Sequence, residues 1–246
     1  MDRTQQNLLA QKFAAMHNPK DLPMLCNAFD GGSARALASH PRAKAIASAS
    51  YSIAISCGSA DNDLTLEENL AGVKGIIAAG VNAQPHPKPV TIDLQDGYGS
   101  HLERAIEEII KLGAVGCNIE DFNRETNALW SVEEAAQRVA RAKQTAARCG
   151  GGAEVGLDAA IKRGKAYLAA GATTVFVWGG GRVVQSAEIK TLVKEFGGLL
   201  NVSMQLREGF LNKQEIQALG VARVSMGPGL YTKALNAFSS EADAIL

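Results

Sequence analysis

Two periods of hydrophobicity alternate along the chain. Short apolar, β-branched runs give way to stretches whose apolar positions recur every three or four residues. The first pattern marks buried strands and the second amphipathic helices. Strands are predicted at 22–27, 43–50, 89–95, 114–120, 173–178, 199–204 and 222–226. Helices are predicted at 4–16, 31–39, from Thr65 to about Ala79, 100–112, 131–149, 157–170, 186–196, over a short segment capped by Asn212, and at 230–246. Thr65–Glu68, Ser100–Glu103 and Ser131–Glu134 read as capping boxes, in which side chain and backbone satisfy each other's unpaired groups. Gly113 and Gly171 read as helix stops. The clearest unit is TIDLQDGYG (91–99), a helix with apolar Leu102, Ala105, Ile106, Ile109 and Ile110, then AVGCNIED (114–121). A strand, helix, strand run with short links is a right-handed unit with parallel, neighbouring strands.

Repeated alternation of this kind predicts an α/β protein with a parallel sheet, which near eight units closes as a (β/α)8 TIM-type barrel in one domain, 1–246. The fifth strand is the exception. Between the helix ending near Cys149 and the one predicted from Leu157, only Ala153-Glu154-Val155 is left beside Gly150–Gly152. The expectation is therefore a modified barrel with a short or missing fifth strand and local irregularity around 148–157. A stub, a splayed gap and the absence of a natural segment all remain open.

Composition narrows the function classes. The 246 residues carry 25 basic and 25 acidic side chains and are 46% hydrophobic, which suits a packed core and offers no field for nucleic acid or an anionic membrane. No apolar run approaches the ~20 residues that cross a bilayer. Cys26, Cys57, Cys117 and Cys149 are scattered without a CxxC, as reduced thiols in a cytoplasmic protein would be. Residues 1–18 read as an amphipathic helix rather than a secretory signal, with organellar import as the alternative.

In barrels of this type the C-terminal strand ends carry the chemistry, and Asn27, Asp30, Ser50, Asp93, Gln95 and Glu120 all fall there. Asp93 and Glu120, at the ends of neighbouring strands, converge as a place for a divalent cation. Asp96 reads as a turn residue, and Asn27 and Asp30 either orient site groups or cap the following helix. Trp178 reads as a pocket wall or a plug of the barrel mouth. His101, His17, His40 and His86 read as surface residues, so zinc is not indicated. Gly179–Gly181 lacks the Lys-Ser/Thr of a phosphate loop.

The stretches 22–37, 45–63, 91–99, 113–121, 166–180 and 222–230 resemble, in order, the isocitrate lyase/phosphoenolpyruvate mutase superfamily. The resemblance implies Mg²⁺ dependence, with Mn²⁺ as the alternative, and a small carboxylic-acid substrate. It also implies a homo-oligomer, dimer or tetramer, in which a C-terminal helix packs on a neighbouring subunit. The chemistry implied is the making or breaking of a C–C or P–C bond next to a 2-oxo acid through an enolpyruvate-like oxyanion. Carried over, Asp93 is the direct metal ligand and Glu120 holds the ion through water. Gln95 stands where a second acid is usual. Asp61 is the acid of the second loop, and Ser50-Tyr51-Ser52 supplies backbone N–H groups to the substrate carboxylate. Two departures stand out. The loop Phe122–Trp130 lacks the Cys and His of the superfamily's lyases, and the fifth-strand Arg has no counterpart, which leaves Arg124 as the nearest replacement. The expected function is a Mg²⁺-dependent lyase or hydrolase of the oxaloacetate or substituted-malate class. A non-catalytic member and a phosphonate mutase are the alternatives.

Overall fold

A computed structural model describes residues 1–149, 154–158, 161–178 and 183–246. Eight parallel strands close into a barrel. These are β1 (Met24–Ala28), β2 (Ile46–Ser48), β3 (Val90–Asp93), β4 (Gly116–Asn118), β7 (Glu154–Asp158), β8 (Thr174–Phe176), β9 (Leu200–Ser203) and β10 (Arg223–Ser225). Around the ring they run β1-β10-β9-β8-β7-β4-β3-β2. A two-stranded antiparallel hairpin, β5 (Phe122–Asn123) and β6 (Ala128–Leu129), occupies the loop after β4. The helices are α1 (Arg3–Met16), α2 (Gly31–Ser39), α3 (Ser50–Ser56), α4 (Leu66–Val81), α5 (Leu102–Leu112), α6 (Val132–Arg148), α7 (Ile161–Ala169), α8 (Ser186–Glu195), α9 (Lys213–Ala218) and α10 (Gly229–Ile245).

The fifth barrel strand is present. Backbone pairing of Gly116, Cys117 and Asn118 with Glu154, Val155 and Gly156 joins β7 to β4, and Gly156, Leu157 and Asp158 pair with β8. Leu157, predicted as helical, lies in this strand, and the following helix starts at Ile161. The glycine-rich approach and the absence of a long apolar run hid the strand from a periodicity reading. The runs Gly150–Gly152 and Gly179–Gly181 lie outside the described residues.

The N-terminal mouth is plugged by α1, whose Leu9, Ala10 and Phe13 pack on Leu25, Ala45, Ala47 and Val115. Gly116 lets this happen, since a Cβ there would sit 2.9 Å from the Phe13 ring. Gln6 donates to the carbonyls of Ile110 at 2.9 Å and Ala114 at 2.8 Å, tying α1 to the end of α5. His17 is buried rather than exposed: its ring lies 4.9 Å from that of Phe13, and Nδ1 is 2.9 Å from the Phe13 carbonyl oxygen. The Ser100–Glu103 capping box does not form. His101 precedes α5 without a side-chain cap, and the Glu103 carboxylate is drawn away by the Arg141 guanidinium at 2.7 and 3.1 Å. An ion pair with two hydrogen bonds outcompetes one bond to a backbone N–H. The box at Thr65 forms as predicted and Asn212 caps α9, whereas at Ser131 the hydroxyl accepts the Glu134 N–H without the reciprocal bond of a box.

Candidate active site

The C-terminal mouth is built outward from Asp93, the last residue of β3. Its Oδ2 accepts the Ser50 N–H at 2.9 Å, and its Oδ1 accepts Asn118 Nδ2 at 2.8 Å and the Gln95 N–H at 3.2 Å. Its own N–H donates to Ser48 Oγ at 2.8 Å, and its carbonyl accepts Asn69 Nδ2 at 2.9 Å. Through its carboxylate and its backbone together, one residue thus joins β2, β4, α3 and α4. The carboxamide of Gln95 has only one orientation that satisfies both ends. Nε2 donates to the Asp61 carbonyl at 2.7 Å and to Asp61 Oδ1 at 2.9 Å, while Oε1 accepts Arg124 Nη1 at 2.8 Å. Ser50 Oγ stands 3.5 Å from Asp61 Oδ1.

Arg124 comes from the hairpin and is nearly buried. Besides Gln95 it donates to the carbonyls of Leu64 at 3.0 Å and Asn62 at 3.2 Å, pairs with Asp96 Oδ1 at 3.1 Å, and stacks 4.9 Å above the Tyr98 ring. Asp96 is more than a turn residue, for it is only 2% exposed and also accepts the Tyr98 N–H at 2.9 Å. The turn itself is strained: Gln95 and Tyr98 have φ of +47° and +59°, a region that costs a residue with a Cβ roughly 1–2 kcal/mol. Gly97 shares the region with φ +76°, and a Cβ there would lie 2.5 Å from Leu102. Buried Arg138 of α6 clamps this turn by donating to the carbonyls of Asp96 and Gly99.

Four carboxylates, Asp61, Asp93, Asp96 and Glu120, share this mouth with the Arg124 guanidinium, and Arg138 adds its charge beside Asp96. The consequence is a Glu120 carboxyl pushed up to about 8, first by burial and then by repulsion from Asp93, Asp61 and Asp96. Burial, then Asp93, also raises the Asp61 carboxyl. Uncompensated negative charge among hard oxygen donors fits Mg²⁺ or Mn²⁺. Among the described residues no three acidic, His or Cys side chains close on a point tightly enough to hold an ion alone. Mg²⁺ meets that condition because it keeps several waters.

The other predicted residues fall at varying distance from this cluster. Tyr51 is exposed on α3, and Ser52 is buried with its Oγ unpartnered among the described residues. Ser50–Ser52 form the start of a helix, not a strand end. Asn27 is spent on the barrel, with Nδ2 donating to the Ser48 carbonyl at 2.7 Å and Oδ1 accepting the Met226 N–H at 3.0 Å. Asp30 is an exposed N-cap of α2 that accepts the Ser33 N–H at 2.7 Å, so the helix-cap alternative holds for it. Trp178 is 69% exposed at the end of β8, across the barrel from Asp93. Asn118 was missed, although as the last residue of β4 it pairs in register with Asp93 at the end of β3. Nothing in the sequence pointed to Asn69 or Arg138, whose roles depend on how α4 and α6 pack.

The class defined by this architecture is a closed (β/α)8 barrel with an acid-lined C-terminal mouth. The chain belongs to the phosphoenolpyruvate phosphomutase family, within the isocitrate lyase/phosphoenolpyruvate mutase superfamily; residues 13–246 match the family's sequence profile. It is 28% identical over 176 residues to 2-methylisocitrate lyase of Shewanella oneidensis, a match covering 65% of this chain and 60% of that enzyme. With the Bacillus subtilis 2-methylisocitrate lyase it shares 27% over 190 residues, 71% of this chain and 61% of the relative. The matches therefore span about three-fifths of those lyases. A Burkholderia cenocepacia J2315 structure provisionally described as a phosphonomutase superposes with TM-score 0.85 at 30% identity, covering 96% of this chain and all of that one (100%).

Proposed function

We propose that the protein is a divalent-cation-dependent enzyme that makes or breaks a C–C bond adjacent to the 2-oxo group of a small carboxylic acid, of the oxaloacetate or substituted-malate class. The observation that carries this reading is the convergence of three carboxyls: Ser50 donates its N–H to Asp93 at 2.9 Å and sets its Oγ 3.5 Å from Asp61, and the Glu120 N–H donates to the Gln95 carbonyl at 2.6 Å. Asp93 and Glu120 would hold Mg²⁺ or Mn²⁺, with Gln95 and Asp61 at one remove. The bound ion would supply Lewis-acid stabilisation to negative charge developing on the substrate's 2-oxo oxygen.

The remaining tasks fall to the chain. The first intrahelical bond of α3 near the site runs from Ile53 N–H to the Ala49 carbonyl at 3.1 Å, so the N–H groups of Tyr51 and Ser52 precede the helical ladder and are free to meet a carboxylate. The Ser50 N–H is already committed to Asp93, which removes it from that role and makes it a support for the carboxylate beside it. Asp61, raised in pKa and within reach of Ser50 Oγ, is the group placed to hold a proton at the mouth. Arg124 orients Gln95 through Nη1 and pairs with Asp96 through Nε, which makes it a positioning residue for the acid cluster. What favours the second reading, a non-catalytic member, is Gln95, an uncharged amide where the family usually has a second acid. The C-terminal α10 leaves Leu235, Phe238 and Ile245 exposed, and we assign these to contact with a neighbouring subunit.

The test is a thermal-shift titration with Mg²⁺ and oxalate, separately and together, on wild type and Asp93→Ala, followed by turnover assays with oxaloacetate and substituted malates. A ligand that binds only the native state raises the melting temperature by mass action. A Mg²⁺-dependent oxalate shift lost in Asp93→Ala supports the site. Its absence from the wild type at millimolar ligand favours the non-catalytic reading.

A further inference from the structure

Strand β9 lies four places from β3 in either direction around the ring, so the rim formed by β8 and β9 faces the acid cluster across the mouth. At the strand spacing and tilt of an eight-stranded barrel, that crossing is roughly 15 Å between backbones. An acid of two to four carbons anchored at Asp93 does not reach the far rim. The far rim nevertheless carries a cleft of about 440 Å³, between the ends of β8 and β9 and the starts of α8 and α9. This is within the range of small-molecule sites.

Its lining is mixed, with apolar walls interspersed with the uncharged polar side chains of Ser186, Ser203 and Gln205 and with two groups engaged in helix caps. Trp178, Val184, Met204, Phe210, Leu211 and Ile216 supply the walls. Glu215, the carboxylate that lines the cleft, accepts the Asn212 N–H at 2.7 Å as half of a helix cap. Gln185 caps α8 in the same reciprocal way with Glu188. Among the described residues Glu215 is the only charged side chain of the lining, so an anionic head group entering here would be desolvated with no cation to pair it, whereas an uncharged ring or branched chain would gain about 25 cal/mol for each Å² of apolar surface it buries. Trp178, exposed to 69%, has the most to gain from being covered. Phe210 is held in place from outside, with the Arg207 guanidinium 4.4 Å over its ring.

We propose that this cleft is a specificity subsite that receives an uncharged aromatic or branched apolar substituent of the substrate whose carboxylate end sits at Asp93. The inference rests on the functional reading above and adds the substrate class to it: a 2-oxo acid or substituted malate with a bulky apolar group, rather than an unsubstituted four-carbon acid.

The experiment compares Mg²⁺-dependent binding of oxalate, pyruvate, 4-methyl-2-oxopentanoate and phenylpyruvate, by thermal shift and by equilibrium dialysis. The proteins are wild type and Gln205→Trp, a substitution at a half-exposed lining position that fills the cleft. Wild type is expected to bind phenylpyruvate at least tenfold more tightly than pyruvate. Gln205→Trp should lose that advantage while its oxalate shift stays intact, which also certifies its folding. Equal affinity for pyruvate and phenylpyruvate in a wild type that does respond to oxalate overturns the subsite alone. So does a Gln205→Trp variant that keeps the tenfold preference. No response to oxalate in the wild type overturns the functional reading and the subsite together.

Discussion

The two halves of the barrel mouth are built on opposite plans. On the β2–β4 side Asp93, Gln95, Asp61, Asn118, Asn69 and Arg124 are locked into one hydrogen-bonded network, supported by two residues held at unfavourable positive φ. On the β8–β9 side Gln185 and Glu215 are engaged in helix caps and Asn201 with Ser225, while apolar walls and the uncharged polar side chains of Ser186, Ser203 and Gln205 surround open volume. Rigid, charged and strained on one side, apolar and open on the other, the mouth separates the two demands of an enzyme site. Placing reacting groups tolerates no freedom, whereas selecting a substituent needs only a cavity of the right size and polarity.

The sharpest way to break this division is at its most connected atom. Asp93→Ala removes the acceptor of three donors on three elements. Turnover should fall by at least ~10³-fold, and the oxalate shift should disappear. Circular dichroism of the variant should still report the intact barrel, because β3 keeps its backbone pairing with β4. A variant that retains even a tenth of wild-type turnover would move the chemistry elsewhere.

Next in size is Arg124→Ala. It strands the Asp96 carboxylate, only 2% exposed, and leaves Gln95 Oε1 without its donor. Breaking a buried pair from one side costs about 3–5 kcal/mol, measurable by urea denaturation. A loss below 1 kcal/mol would mean that the network is not what stiffens this half.

The third expectation concerns pH in metal-free protein. Burial and then the neighbouring carboxylates push the Glu120 carboxyl up to about 8 in the fold, from about 4.5 in an unperturbed glutamate. The native state therefore binds more protons than the unfolded chain throughout that window, and stability falls as pH rises from about 4.5 through about 8. The melting temperature should drop by more than about 3 °C between pH 6 and pH 9. Glu120→Gln should flatten the profile, and saturating Mg²⁺ should reverse it, because the ion favours the deprotonated carboxylate. An unchanged slope in Glu120→Gln would assign the titration to another group.

The contrast between the halves also explains how much the sequence disclosed. Asp93, Glu120 and the turn through Gly97–Gly99 were legible because strand-end acids followed by a glycine-rich turn are a local pattern. The parallel barrel was legible because period alternation repeats. The strand Glu154–Asp158 was not, since acidic ends and a central glycine keep it from standing out and its identity comes from ladder bonds to β4 and β8. Arg124 was read as a replacement for a lost substrate-binding base. Its actual partners lie 28 to 62 residues away in sequence and could not be inferred from spacing. Asn27 was placed correctly at a strand end, but only the fold shows that Ser48 and Met226 consume it.

The smallest effect on stability comes from the open half, and it tests the division from the other side. Trp178 is 69% exposed at the end of β8, so Trp178→Ala removes little buried contact and should change unfolding free energy by less than about 0.5 kcal/mol. The same substitution takes away the largest flat apolar surface of the cleft. Affinity for phenylpyruvate should therefore fall several-fold while oxalate, which stays with the acid cluster, binds as before. A variant destabilised by 2 kcal/mol or more would show that Trp178 props the barrel mouth, and the β8–β9 rim would then be a second structural wall rather than a space kept for substrate.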